Sequence, residues 1–167
     1  MRSGLFIDYI FKAFIEKFQK KARKLEKDLP KEDFTAYYPK SYVILWLAIT
    51  FIVAVISFLT SFVSVGVSIF FGILSALFFI AFLYHLTYRA KVNNEGMKIN
   101  CLFFFNKTVC WKDVKRVEIR QINWEDNPNE KEVCIRGENN KIIFHCSHEL
   151  VGFTLIVRMA NKYRKKK

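Results

Sequence analysis

The alternation of apolar and polar positions divides the chain into stretches of different character. From Leu5 to Leu29, the residues Ile7, Phe11, Phe14, Phe18, Ala22, Leu25 and Leu29 recur at intervals of three and four, with Phe6 and Ile10 broadening the same face. Asp8, Lys12, Glu16 and Lys20 lie opposite. This spacing predicts an amphipathic helix, ended by Pro30. Then 48 residues, Ser41 to Tyr88, run without an Asp, Glu, Lys or Arg. A single helix of that length would be about 72 Å long, whereas a bilayer core is about 30 Å thick, so the stretch must double back. The break falls at Ser61-Phe62-Val63-Ser64-Val65-Gly66 and leaves spans Tyr42–Phe62 and Gly66–Leu86. The expectation is a membrane helical hairpin with a short, uncharged turn.

Beyond Tyr88 the period shortens. Glycine and asparagine turns separate short β-rich runs: Leu86–Val92, then Asn93-Asn94-Glu95-Gly96, where Gly96 is free to take a positive φ, then Met97–Phe105, Thr108–Trp111 and Val117–Trp124. In the last of these the alternation slips at Gln121, as a bulge would make it do. A polar loop, Glu125–Glu130, precedes Val133–Ile135 and Ile142–Phe144, for about six antiparallel strands. A final helix is expected with Ser147 as its cap, Glu149 in its first turn, an apolar stripe of Leu150, Phe153, Thr154, Val157 and Ala160, and basic residues at its end. The boundaries that result are 1–29 for the amphipathic helix, 30–40 for a linker, 41–88 for the hairpin and 89–167 for a small α+β domain closed by the helix.

Charge orients this arrangement. The net charge is +12, with 10 Lys/Arg against 6 Asp/Glu up to Lys40 and 17 against 9 from Arg89 on, giving +4 and +8 around the hairpin. The turn carries none, so the positive-inside rule sets both termini in the cytoplasm of a multi-pass protein of the cell membrane. Tyr42, Trp46, Tyr84 and Tyr88 sit at the charged ends of the spans, as interfacial anchors do. Within the second span Ser64, Ser68, Gly72 and Ala76 recur every four residues and form a smooth packing stripe. It serves either the hairpin itself, the simpler reading, or a homodimer seam.

The N-terminal helix has two destinations. Phe11, Phe14 and Phe18 can enter the acyl boundary while Lys20, Lys21, Arg23 and Lys24 reach phosphates. Alternatively the apolar face packs on the domain or on a second copy. Aromatic bulk suits a narrow helical seam poorly and favours the membrane surface. The interleaved charges make this segment neither a cleavable signal nor a transit peptide.

Candidate chemistry is sparse. Cys101, Cys110, Cys134 and Cys146 include no C-x-x-C pair and read as reduced strand residues. A metal site from Cys110, Cys134, His145, Cys146 and His148 lacks paired ligand spacing. His145 and His148 read as turn and first-turn residues. No activated nucleophile, glycine-rich phosphate loop or nucleotide motif stands out, so no enzyme, cofactor or resident metal is expected. The basic tail Arg164–Lys167 has no aromatic platform beside it, and nucleic acid is not an expected partner.

A hairpin running into a strand, then Asn94-Glu95-Gly96-Met97-Lys98-Ile99, then Trp111-Lys112-Asp113-Val114-Lys115-Arg116-Val117 and one closing helix, resembles the bacterial two-span membrane proteins that carry a C-terminal PH-like domain. The resemblance covers about Ser41 to Tyr163, and its signature is Gly96, Trp111, Asp113 and Val114. Trp111 would cap the interior, Asp113 would bond backbone amides in a turn, and Val114 would return inward. The resemblance implies a partly open barrel closed by the helix, and, for some two-span members, tolerance of membrane-active peptides. The basic first-hairpin loop through which eukaryotic PH domains bind inositol phosphates is missing here, where only Lys91 and Lys98 flank Asn93–Gly96. The function expected is a membrane-anchored, non-enzymatic binding module that presents the domain to a protein partner or to anionic lipid. The alternative is an envelope protein that modulates the response to membrane-active peptides.

Overall fold

The computed structural model describes residues 3–102, 105–121 and 131–164. Helix α1 covers Ser3–Glu26, and a four-residue strand, β1, covers Phe34–Tyr37. Helices α2 (Lys40–Thr60) and α3 (Val65–Thr87) form the hairpin, turning through Ser61–Ser64 close to the expected break. Both are long and apolar enough to cross a membrane. Their large side chains face outward, with Phe51 68% and Phe70 63% exposed. The core helices of a water-soluble protein bury such residues, and an apolar surface this continuous calls for an apolar surround.

Strands β2 (Arg89–Val92), β3 (Gly96–Cys101) and β4 (Phe105–Cys110) follow, then β5 (Arg116–Gln121), β6 (Lys131–Arg136), β7 (Ile142–Ser147) and helix α4 (Phe153–Tyr163). Two antiparallel sheets result, in the orders β1-β2-β3-β4 and β5-β6-β7. The described strands number seven rather than six, and the extra one comes from the segment expected as a linker. β1 pairs with β2 in the register Phe34↔Val92 to Tyr37↔Arg89. The hairpin is therefore inserted between two neighbouring strands of one sheet, and the domain begins before it. The apolar run expected as a strand from Leu86 stays helical through Thr87.

The core lies between the two sheets and α4. Phe34, Ala36, Ala90, Val92, Met97 and Ile99 come from the first sheet, and Val133, Ile135, Phe144 and Cys146 from the second. Helix α4 enters with Phe153, Ile156, Met159 and Ala160. The expected stripe was one residue out of phase at two positions: Thr154 is exposed and Val157 only half-buried, because the helix starts late. Val151 exchanges two backbone hydrogen bonds with Tyr37, at 2.9 and 3.3 Å, which holds 148–151 in a turn. Gly152 (φ +97°), not Ser147, then occupies the N-cap, and Glu149 lies outside the helix. Ser147 itself ends β7. The slip expected at Gln121, the Glu125–Glu130 loop and Lys165–Lys167 lie outside the described residues, wholly or in their decisive part. A register shift does occur on the neighbouring ladder, between Ile135 and Arg136.

Candidate functional site

Where the hairpin meets the domain, the chain's aromatic residues converge on His85. Tyr38, Tyr42 and Trp46 follow one another at intervals of four and so share one side of the chain as it enters α2, while Tyr84 and Tyr88 flank His85 at the end of α3. Trp46 stacks on the imidazole at 5.1 Å and 10°, and Tyr38, Tyr42 and Tyr84 meet it edge-on at 4.7, 5.1 and 5.3 Å. Tyr88 joins through Tyr38 and Tyr84, at 5.3 and 5.6 Å. His85 Nδ1 donates to the Ala81 carbonyl at 2.6 Å, which leaves its ring face to the aromatics. All four expected anchors are thus in one cluster. His85, read from the sequence as interfacial, is its hub, and Tyr38, which completes it, was missed because it is not distinctive until both chain ends of the hairpin come together.

The seam between α2 and α3 is polar at one level. Ser57 Oγ donates to the Ser68 carbonyl at 2.8 Å, and Ser68 Oγ returns a bond to the Ser57 carbonyl at 2.9 Å. Gly72 lies against Ser57, and Ser75 donates to the Thr50 carbonyl at 3.3 Å. Of the expected stripe, Ser68 sits at the seam and Gly72, though exposed like Ser64 and Ala76, approaches Ser57 across it. A strict repeat of four drifts around a helix of 3.6 residues per turn, so Ser75 takes the place expected of Ala76.

The end of α1 is seated on protein. Phe18 and Ala22 are buried, and Phe18 meets the Tyr42 ring edge-on at 5.5 Å. For Phe18 this replaces the acyl boundary that its spacing suggested. The side chains of Phe11 and Phe14 lie outside the described residues. Lys20, Lys21, Arg23 and Lys24 are exposed on the opposite face. One turn further on, Glu26 Oε1 accepts the Leu155 backbone N–H at 2.9 Å. That N–H belongs to the first turn of α4, whose glycine cap has no side chain to offer, so α1 supplies the cap from elsewhere in the chain. Burial raises the pKa of the Glu26 carboxyl, and its hydrogen bonds to Leu155 and Thr154 only partly offset this.

On the outer face of the first sheet, an open groove of about 500 Å³ runs past Thr35, Lys91, Lys98 and Thr108, which neighbour one another across four strands. Asp33 and Glu95 stand beside its two lysines. Its floor at one end is the β2–β3 turn, where Asn93 Oδ1 accepts from the amides of Glu95 and Gly96 at 3.0 and 2.9 Å. Trp111 is buried and donates through Nε1 to the Asn93 carbonyl at 2.8 Å, tying the two ends of the β3–β4 hairpin region together. Val114 is buried as expected. Asp113 is not the group that closes its turn: it is exposed in a short 3-10 turn closed by Val114 N–H to the Trp111 carbonyl at 3.2 Å.

The second sheet turns a polar face outward. Glu118 pairs with Arg116, Arg120 and Arg136 at 3.1, 3.1 and 3.0 Å, and the Arg136 bond is the chief reason its pKa is lowered. Beside it, Glu132 Oε2 meets His145 Nε2 at 2.6 Å, and Cys134 Sγ lies 3.9 Å from Glu132 Oε1. One donor atom from each of Glu132, Cys134 and His145 falls within 4.8 Å of the others. Burial and Glu132 push the Cys134 thiol up, while Arg120 and Arg136 pull it down. Of the five residues weighed for a metal, only Cys134 and His145 come together here. Cys146 points into the core, where burial raises its thiol, Cys110 is exposed in the first sheet, and His148 packs on Phe153 at 4.9 Å. Glu132 was missed, although Glu-x-Cys on one strand places both side chains on one face.

Comparison with protein-family models, with curated proteins and with solved structures finds no match to this chain.

Proposed function

We propose that this chain is a membrane-anchored, non-enzymatic binding module, with α2 and α3 crossing the bilayer and a PH-like domain held against its cytoplasmic face. Two sheets of four and three antiparallel strands closed by a C-terminal helix support the PH-like reading. The observation that carries the function is the β1–β2 pairing across the base of the hairpin. It fixes the domain to both membrane helices at once, so the domain stays at one height over the headgroups instead of hanging from a linker. Tethering of this kind raises the local concentration of the domain near other membrane components. The lysine- and arginine-rich flanks support a cytoplasmic location for both termini.

The surface offered is the outer face of the first sheet, where Arg89, Lys91 and Lys98 are exposed. Its occupant is a protein partner or anionic lipid headgroups. The burial of Phe18 and Ala22 in protein contacts favours this module over an envelope protein that works by laying α1 on the bilayer. A photo-crosslinker at Lys91 or Lys98 in the intact chain, in native membranes, tests the reading. Adducts with one discrete protein, or with anionic lipid, support it. A pattern no different from that of a crosslinker at Glu138, on the second sheet, removes the basis for it.

A further inference from the structure

We propose that Glu132, Cys134 and His145 form a binding site for a divalent transition-metal ion of the zinc class on the outer face of β6 and β7. The framework comes from strand geometry. Glu132 and Cys134 are two residues apart on β6, so both side chains leave the same face, and His145 is the registered cross-strand neighbour of Cys134. The opposite face of β6 carries Val133 and Ile135, both fully buried, which prevents a one-residue slip that would turn the donors inward. The connection to β7 is short, with Asn139 and Asn140 at positive φ, and the register shift of this ladder falls between Ile135 and Arg136, beyond the three donors.

The donors suit such an ion. Zinc bonds of about 2.0–2.3 Å to N, O and S in a tetrahedral arrangement require donor atoms roughly 3.3–3.7 Å apart. Here one donor atom from each residue lies within 4.8 Å of the others, while the two Glu132 oxygens separately meet Cys134 Sγ at 3.9 Å (Oε1) and His145 Nε2 at 2.6 Å (Oε2), so adjustments within side-chain rotamers close the set. A thiolate and an imidazole select a borderline-soft ion over calcium or magnesium. The thiolate and carboxylate together balance a charge of two. Arg120 and Arg136, the nearby cations, are engaged by Glu118 at 3.1 and 3.0 Å. Three protein donors leave a fourth position for water. Cys134, itself 2% exposed, lies outside the core cluster, and the His145 side chain beside it is 52% exposed and forms the solvent side of the site.

The experiment uses the full chain without an affinity tag, reduced, stripped of metal and held in detergent micelles. Cobalt(II) is added as the spectroscopic probe and zinc(II) as its competitor. A thiolate-to-cobalt charge-transfer band should saturate at one equivalent, disappear on adding zinc, vanish in Cys134→Ser and persist in Cys110→Ser. Loss of a group that only hydrogen-bonds to a metal ligand weakens metal sites about 10–100-fold, so Glu132→Gln and His145→Gln should each weaken binding at least about tenfold. Zinc should also raise the unfolding midpoint of the wild type and not that of His145→Gln, whose exposed position tolerates the change. The proposal is overturned if no charge-transfer band forms, if the band survives Cys134→Ser, or if neither Glu132→Gln nor His145→Gln weakens binding.

Discussion

At Gly96 an added methyl group would stand 2.3 Å from the Val109 carbonyl oxygen and 3.0 Å from Cys110 Cα, both backbone atoms that cannot swing aside. Glycine is required here by the close approach of β4, not by a positive φ, which among the described glycines only Gly152 adopts. Gly96→Ala should therefore destabilise the domain by about 1–3 kcal/mol, read from the thermal midpoint of the protein in micelles. Trp111→Phe keeps an aromatic six-membered ring but removes the pyrrole part with its N–H, leaving the Asn93 carbonyl without its donor, for a loss of at least about 1–3 kcal/mol by the same measurement. Trp111 and Val114 are buried as the sequence suggested, whereas Gly96 was singled out for a positive φ and is needed instead for lack of a side chain. The role of Asp113 was not legible, because a backbone hydrogen bond closes its turn and any residue brings a backbone.

The two helical contacts make different demands. Glu26 reaches α4 from α1, and Glu26→Ala should cost about 0.5–2 kcal/mol, since the Leu155 N–H loses its acceptor. The folded state holds the Glu26 proton more tightly than the unfolded chain does. Its contribution to stability is therefore complete below the ordinary carboxylate value near 4.5 and declines as pH rises through the raised native value. Glu26→Gln keeps an acceptor without a charge to desolvate, so the variant should show a flatter pH profile of the midpoint across that window. In the hairpin, the reciprocal Ser57 and Ser68 bonds should each be worth about 0.6 kcal/mol, and Ser57→Ala and Ser68→Ala combined should fall short of additive, measured by reversible unfolding in mixed micelles. At this scale the hairpin was plain from the sequence, since a charge-free run of that length has few other uses. The start of α4 was not, because what delays it is a two-bond bridge from Val151 to Tyr37, a residue 114 positions earlier.

For the whole molecule, the decisive element is the four-residue β1. Pro30, Asp33 and Pro39 around it read as linker, and a strand this short has no period of its own to betray it. Its identity comes from β2, on the far side of the hairpin. Ala36 is fully buried there, so Ala36→Asp puts an unpaired charge in the core at a cost of about 3 kcal/mol or more. The expected outcome is a domain cut rapidly by protease while the hairpin fragment still resists extraction from membranes, which separates anchor from module. Reporters fused at the first and last residues should both lie in the cytoplasm; both on the outer side would reverse the orientation argued from charge, and opposite sides would rule out the two-span hairpin.

The insertion of the hairpin inside a sheet also sets an order of assembly. During synthesis β1 leaves the ribosome well before β2, and bringing the ends of a flexible loop of about 50 residues together would cost on the order of 3 kcal/mol. If α2 and α3 pair in a bilayer first, they deliver Tyr37 and Arg89 side by side, and the sheet can zip. A nascent chain that fails to insert keeps an unfinished sheet with an open edge, so the cell's quality control would register a failure of membrane entry as a failure of folding.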